Sequence, residues 1–204
     1  MGLVEMQKAL ARLYTNADLR ERFFNDPATV ARELGFGDEE ARRLAAVSPA
    51  RIDSFARSLH NKRLGQVAKL LPLSKRALGG PFSEAFRVFA DTYVPAGTKK
   101  HLGDALAFAG HLEKLLRARK GQHPRWALDL LRYEKARIKA ADPRRRVVVC
   151  VFRHDISQLV RSLARKEDAA VFTRPCVAVW ARLRRGTTIR YAVYMVPELR
   201  RKKN

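Results

Sequence analysis

The sequence predicts an α+β protein, with an N-terminal all-helical domain over residues 1–142 and a small C-terminal domain over residues 143–204, a three-stranded antiparallel or mixed sheet with one helix. Three observations predict it. Apolar residues recur at helical spacing from Leu3 to Ile138, and after Pro143 the period changes to short β-branched runs. Hydrophobic residues make up 47% of the 204, enough for a real core and too many for a disordered chain.

The helical elements follow in order. Leu3, Met6, Leu10 and Leu13 share one face of a first helix, and Thr15-Asn16 stops it and caps a second from about Ala17 to Phe24. Asp26-Pro27 caps a third that ends at Gly35, with Val30 and Leu34 on one face. Asp38-Glu39-Glu40 opens a fourth with its acids in the first turn, where they complement the helix dipole. Ser48-Pro49 starts a fifth that carries Ile52, Phe55, Leu59 and Leu64 toward the core, and Pro72 marks a kink or break after Leu71. Beyond the Gly79-Gly80-Pro81 turn, Phe82, Phe86 and Phe89 form a packing stripe with Tyr93 one turn on. Pro95-Ala96-Gly97 ends that helix. Leu102, Leu106, Phe108, Ala109, Leu112 and Leu115 make another, and Trp126, Leu130, Tyr133 and Ile138 a last one before Asp142-Pro143.

In the C-terminal domain, Arg146 to Phe152 reads as a strand, Ile156 to Ala164 as a helix, and Cys176–Leu183 with Ile189–Val196 as a hairpin around Arg185-Gly186-Thr187. The order is β-α-β-β, and so small a sheet leans on the helical part for stability. The terminal Arg200-Arg201-Lys202-Lys203 is apolar-free and reads as a solvated end.

Charge is the strongest compositional signal. The formal net charge is +22, and it divides unevenly: residues 1–113 hold 17 Lys and Arg against 13 Asp and Glu, whereas residues 114–204 hold 25 against 7. The second part therefore calls for an acidic partner: nucleic acid, an anionic membrane surface, or an acidic peptide or protein. No membrane-spanning stretch and no signal segment is evident, so a cytoplasmic protein that does not engage the membrane is expected.

Catalytic signatures are scarce, and no enzyme activity is expected. The sequence has no Gly-rich phosphate loop, Gly-x-Ser-x-Gly elbow or His-Glu-x-x-His pair. Its five histidines are dispersed, Cys150 and Cys176 have no Cys-x-x-Cys spacing and read as buried thiols, and neither a metal site nor a cofactor is expected. The clusters Lys62-Arg63, Lys75-Arg76 and Lys99-Lys100 read as solvated faces.

What remains is binding. A basic sheet with an exposed edge is a template for an extended acidic peptide, because unpaired backbone N–H and C=O groups accept another strand. Strand geometry nominates Arg146, Val148, Cys150 and Phe152 on the first strand. On the hairpin it nominates Trp180, Arg182, Arg190, Tyr191 and Tyr194. Nucleic acid is the alternative ligand, although no helix carries the basic and polar face that base reading needs.

The stretch from Asn61 to Leu112 contains Lys-Arg-Leu at 62–64, Leu-Pro at 71–72, Leu-Gly at 78–79, the Phe stripe, and His101 with Asp104-Ala105 before Phe108; Arg132-Tyr133-Glu134 follows. These elements resemble a bacterial family of helical partner proteins associated with multinuclear non-haem iron oxidative enzymes of ribosomal peptide biosynthesis. The methanobactin-type partner subunits, and domains labelled as DNA-binding, are similar. Over about residues 3–140, the resemblance implies a non-catalytic partner that binds the leader region of a precursor peptide through its C-terminal sheet. It also implies a heterodimer with an iron-dependent peptide-modifying enzyme, with the iron in that enzyme. The expected enzyme-docking residues are Lys62, Arg63, Lys69 and His101.

Overall fold

The computed structural model describes residues 3–95, 100–118, 121, 123–183 and 188–197. The helical part comprises α1 (Leu3–Thr15), α2 (Ala17–Asn25), α3 (Pro27–Glu33), α4 (Asp38–Ala45), α5 (Pro49–Leu70), α6 (Pro72–Leu78), α7 (Gly80–Thr92), α8 (Lys100–Ala118) and α9 (Arg125–Ala140). Then come β1 (Val147–Phe152), α10 (Ile156–Ala164), β2 (Cys176–Arg182) and β3 (Ile189–Met195). The sheet is antiparallel throughout, in the order β1-β2-β3. The loop at Arg185-Gly186-Thr187, the break at Ala96-Gly97, Lys99 and the terminal basic run fall outside the described residues.

Local chemistry explains the boundaries. The Asn16 side chain accepts from Leu19 N at 2.9 Å, Asp26 from Thr29 N at 3.0 Å, and Asp155 from Ser157 N and Gln158 N at 3.1 Å, so α2, α3 and α10 each begin on a capped N–H. Pro27, Pro49, Pro72 and Pro81 sit in first turns, where a missing N–H costs nothing. Two helices end in the same motif with different residues. After α3, Gly35 N donates to Arg32 O and Phe36 N to Ala31 O, with Gly35 at φ 86°; after α10, Lys166 N donates to Leu163 O and Glu167 N to Ser162 O, with Lys166 at φ 66°. Left-handed backbone suits glycine and strains lysine.

Three buried clusters hold the described residues together. The first, with Leu13, Phe23, Leu44 and Ile52 fully buried, unites α1 through the start of α5. The second joins α5 to α9 around Phe82, Phe86 and Phe108; edge-on ring pairs at 5.1 Å link Phe108 to both other rings. The third packs Phe152, Ile156, Leu159, Cys176, Ala178 and Trp180 on α9. Helix α9 serves two cores at once: Ala127, Leu131 and Ile138 face the helical cluster, and Leu130, Ala136 and Ala140 face the sheet. The sheet thus shares its core with a helix N-terminal to Pro143.

One expected core residue lies further out. Phe55 is 50% exposed, its ring resting 4.4 Å from that of Tyr14, because Ile52 and Ala56 occupy the inward face of α5. Leu102, at the start of α8, is also exposed.

One buried carboxylate joins α9 to α6. Glu134, fully buried, accepts from Leu73 N at 2.8 Å, Ser74 N at 2.9 Å and Ser74 Oγ at 2.6 Å, satisfying the first-turn donors of α6 from a helix distant in sequence. Burial pushes its carboxyl above the usual range, against the pull of those three donors.

Candidate peptide-binding site

The pairing of β1 fixes what its edge offers. Val148 lies opposite Trp180 and Cys150 opposite Ala178, and Arg182 N donates to Arg146 O at 2.7 Å. That bond sets the phase of the antiparallel ladder, so residues 146, 148, 150 and 152 bond to β2. Val147, Val149 and Val151 therefore direct N–H and C=O away from β2. Of these groups, Val151 O accepts from Arg132 Nη1 at 3.3 Å, and no other bond to this edge occurs among the described residues. The edge is an open strand template.

The same parity sorts the side chains. Val147, Val149 and Val151 are 57%, 58% and 55% exposed and form the outer face with half-buried Val177 and Val179 and exposed Tyr194 and Arg190. Of the residues nominated from sequence, Arg190 and Tyr194 lie on that face and Arg146 is exposed. Val148, Cys150, Phe152 and Trp180 instead turn toward the helices, with Phe152 and Trp180 buried there. Their side chains are thus placed for packing, and what this strand exposes is its backbone edge and the three valines. The Trp180 ring packs 5.6 Å from Tyr133 and 5.0 Å from Tyr191, and burial pushes the Tyr191 phenol upward. Arg182 donates to Ala140 O at 3.2 Å, where a cation complements the C-terminal end of α9. Both cysteines are free, Cys176 buried and Cys150 half-buried, and burial raises both thiols.

The residues nominated for enzyme docking also divide. Lys62, Lys69 and His101 are exposed, the two lysines seven residues apart on α5 and hence on one side of it. Arg63 is held inside. It forms a two-pronged pair with buried Asp104, Nε to Oδ2 at 3.1 Å and Nη2 to Oδ1 at 3.0 Å, and donates to Tyr93 O at 2.8 Å and Ala90 O at 3.3 Å. Its guanidinium also lies 5.6 Å from the Phe86 ring centre. The fork clamps α5, α7 and α8 together, which removes Arg63 from the surface set.

Sequence reasoning missed a pocket beside the open edge. About 560 Å³ in volume, it is lined by Arg117, Arg125, Arg132 and Arg153, with His123, Leu128 and Asp129. Asp129 is occupied: it accepts from Arg153 N at 2.8 Å and His154 N at 3.1 Å and pairs with His154 Nδ1 at 2.8 Å. Nearby Glu113 holds Arg117 at 2.8 Å and Lys135 at 2.9 Å, with Arg132 at 3.7 Å. Burial raises the Glu113 carboxyl, but the hydrogen bonds from Lys135 and Arg117 outweigh it and hold the carboxyl below its usual range. One carboxylate against three cations leaves the rim positive. The N-terminus of α9, capped by Pro124 without a side-chain acceptor, adds to that field. A second, apolar groove of about 250 Å³ between α7 and α8 shares Leu116 and His123 with this pocket. The run Arg-x-x-Leu-Asp-x-x-Arg at 125–132, which puts Arg125, Leu128, Asp129 and Arg132 on one helix face, was the available sequence signal.

Among the described residues, no cluster of His, Cys, Asp and Glu suits a metal ion, and no helix is long and apolar enough to cross a membrane. A family model described as SCO6045-like, C-terminal domain, matches residues 45–114, the end of α4 through most of α8. That match overlaps the stretch carrying the resemblance noted above and stops short of the sheet. No curated protein matches the chain.

Proposed function

We propose that this chain is a non-catalytic peptide-recognition subunit that accepts an extended acidic segment as a fourth strand on β1. The observation that carries the reading is the open edge at Val147, Val149 and Val151 lying against an arginine-lined pocket. Backbone pairing would supply affinity without regard to sequence, and the arginines would steer an acidic segment and exclude a basic one. The edge of β3 offers backbone groups too, but the arginine pocket favours β1.

The resemblance over the helical part extends the reading. The segment is the leader region of a ribosomally made precursor, and the chain presents it in the cytoplasm to an iron-dependent modifying enzyme. The exposed side of α5 bearing Lys62 and Lys69, with His101 on α8, is the surface proposed to meet that enzyme. The iron belongs to the enzyme.

The test is a Val149→Pro substitution. Because Val149 N–H points away from β2, proline removes a donor from the open edge and none from the existing ladder. Affinity for a fluorescein-labelled peptide of alternating Val and Glu should fall about tenfold or more, with thermal stability nearly unchanged. Equal binding by the variant would eliminate β1 as the site. Co-purification with an iron-dependent peptide-modifying enzyme is the separate test of the partner role.

Nucleic acid is the second reading, favoured by the net charge of +22. It requires affinity that falls steeply with salt as phosphate contacts release counterions, and persists at about 0.15 M salt.

A further inference from the structure

The ladder at the open edge ends asymmetrically. Among the described residues, the edge is bare toward Val147, whereas at Val151 the outward carbonyl is already taken by Arg132, whose guanidinium lies between the strand edge and the pocket. Directly opposite residues of an antiparallel pair point to the same side of the sheet. A residue of an added strand opposite Val151 would therefore lie on the outer, apolar face, and a residue opposite Phe152 would point inward. Inward at that end lies the pocket, with Arg153 following β1 directly and Arg125, Arg132 and Arg117 across from it on α9 and α8.

The pocket carries more positive charge than its own acids balance. Among the described residues, Asp129 is engaged by His154 and two backbone N–H groups, and Glu113 already serves Arg117 and Lys135. Among the described residues, Arg125 and Arg153 have no carboxylate partner of their own. At about 560 Å³, the space accommodates side chains and not merely a single small ion.

From this we infer that the pocket reads carboxylate side chains at the end of the added strand beside Phe152, so that the chain selects segments with apolar residues on one face and Asp or Glu at the inward positions of one end. The inference rests on the β1 reading above and sharpens it: the edge supplies binding, and the arginine pocket supplies register and choice of segment. Forked arginines hold carboxylates with directional paired bonds, which fixes which residue of the strand sits at the end.

The experiment compares two fluorescein-labelled peptides, alternating Val and Glu or alternating Val and Gln, on the full chain and on the Arg125→Gln, Arg153→Gln double variant at about 0.15 M salt. The expected result is about tenfold tighter binding of the Glu peptide to the native chain, and similar affinities for both peptides on the variant. A variant that weakens both peptides equally, or neither, would overturn the pocket's role. The edge reading is judged separately by Val149→Pro, which should weaken both peptides. A labelled thymidine oligonucleotide is the third probe. If it binds the native chain more tightly than the Glu peptide and loses that affinity on the double variant, the pocket is a nucleic-acid phosphate site and the inference fails. Matching circular dichroism spectra and melts establish that the variants are folded.

Discussion

Arg63 and Arg153 are the same residue type in two regions that use it in opposite ways. In the helical part, Arg63 is enclosed by a buried carboxylate, two backbone carbonyls and a phenylalanine ring, so its donors are consumed in joining three helices. Beside the sheet, Arg153 is exposed, and among the described residues its side chain has no acidic partner. The difference teaches that a basic residue reports on function through what already binds it, and the net charge of +22 does not distinguish the two cases.

The largest effect should come from breaking the enclosed arginine. Arg63→Ala leaves Asp104 buried without a partner and should cost about 3–5 kcal/mol in urea unfolding, while Arg153→Ala should stay within about 0.5 kcal/mol. If the two variants proved equally stable, the contrast between the regions would collapse. Next, Glu134→Ala strips acceptors from Leu73 N, Ser74 N and Ser74 Oγ and should cost about 2–4 kcal/mol by the same measurement. A smaller gain is expected from Lys166→Gly, which relieves left-handed backbone at the end of α10 and should stabilise by about 1 kcal/mol.

The smallest effect is a pH dependence confined to the helical part. Burial lowers the imidazole of His60, outweighing the opposing pull of Asp91 at 3.8 Å, and burial likewise lowers that of His111. Both are neutral in the folded and unfolded states well above pH 6.5, so nothing changes there. As pH falls through the unfolded value of about 6.5, the unfolded chain takes up protons first and stability is lost. Melting temperature should therefore fall further between pH 7.5 and 5.5 in the native chain than in His60→Gln, while the raised Glu134 carboxyl works in the opposite sense in both.

The element order was legible because its signals are local: caps at Asn16 and Asp26, prolines in first turns, and the change from helical to β-branched patterning after Pro143. The inward face of β1 was not. Residues 147–152 read Val-Val-Val-Cys-Val-Phe, an unbroken apolar run in which alternation carries no polar phase, so only pairing with β2 decides which three residues turn outward. Arg63 presents the same difficulty in a helix, since its carboxylate lies 41 residues away. The candidate pocket is assembled from α8, the segment before α9, α9 and the residue after β1, and of these four places only α9 carries a run readable in sequence. Phe55 was misplaced because a helical stripe predicts a face and cannot say how wide the covered part of that face is.

Helix α9 packs two cores from opposite sides, and this has a consequence for how the chain is made. Synthesis proceeds from the N-terminus, so Ala127, Leu131 and Ile138 can dock on α5 to α8 as soon as α9 leaves the ribosome. Leu130, Ala136 and Ala140 are covered in stages, first by Leu73 and Ala77 of α6, then by Phe152, Ile156 and Leu159, and last by Ala178 and Trp180. Until β2 emerges, at about 5–20 residues per second, the nascent protein leaves part of that apolar stripe uncovered, and a chaperone would meet it there.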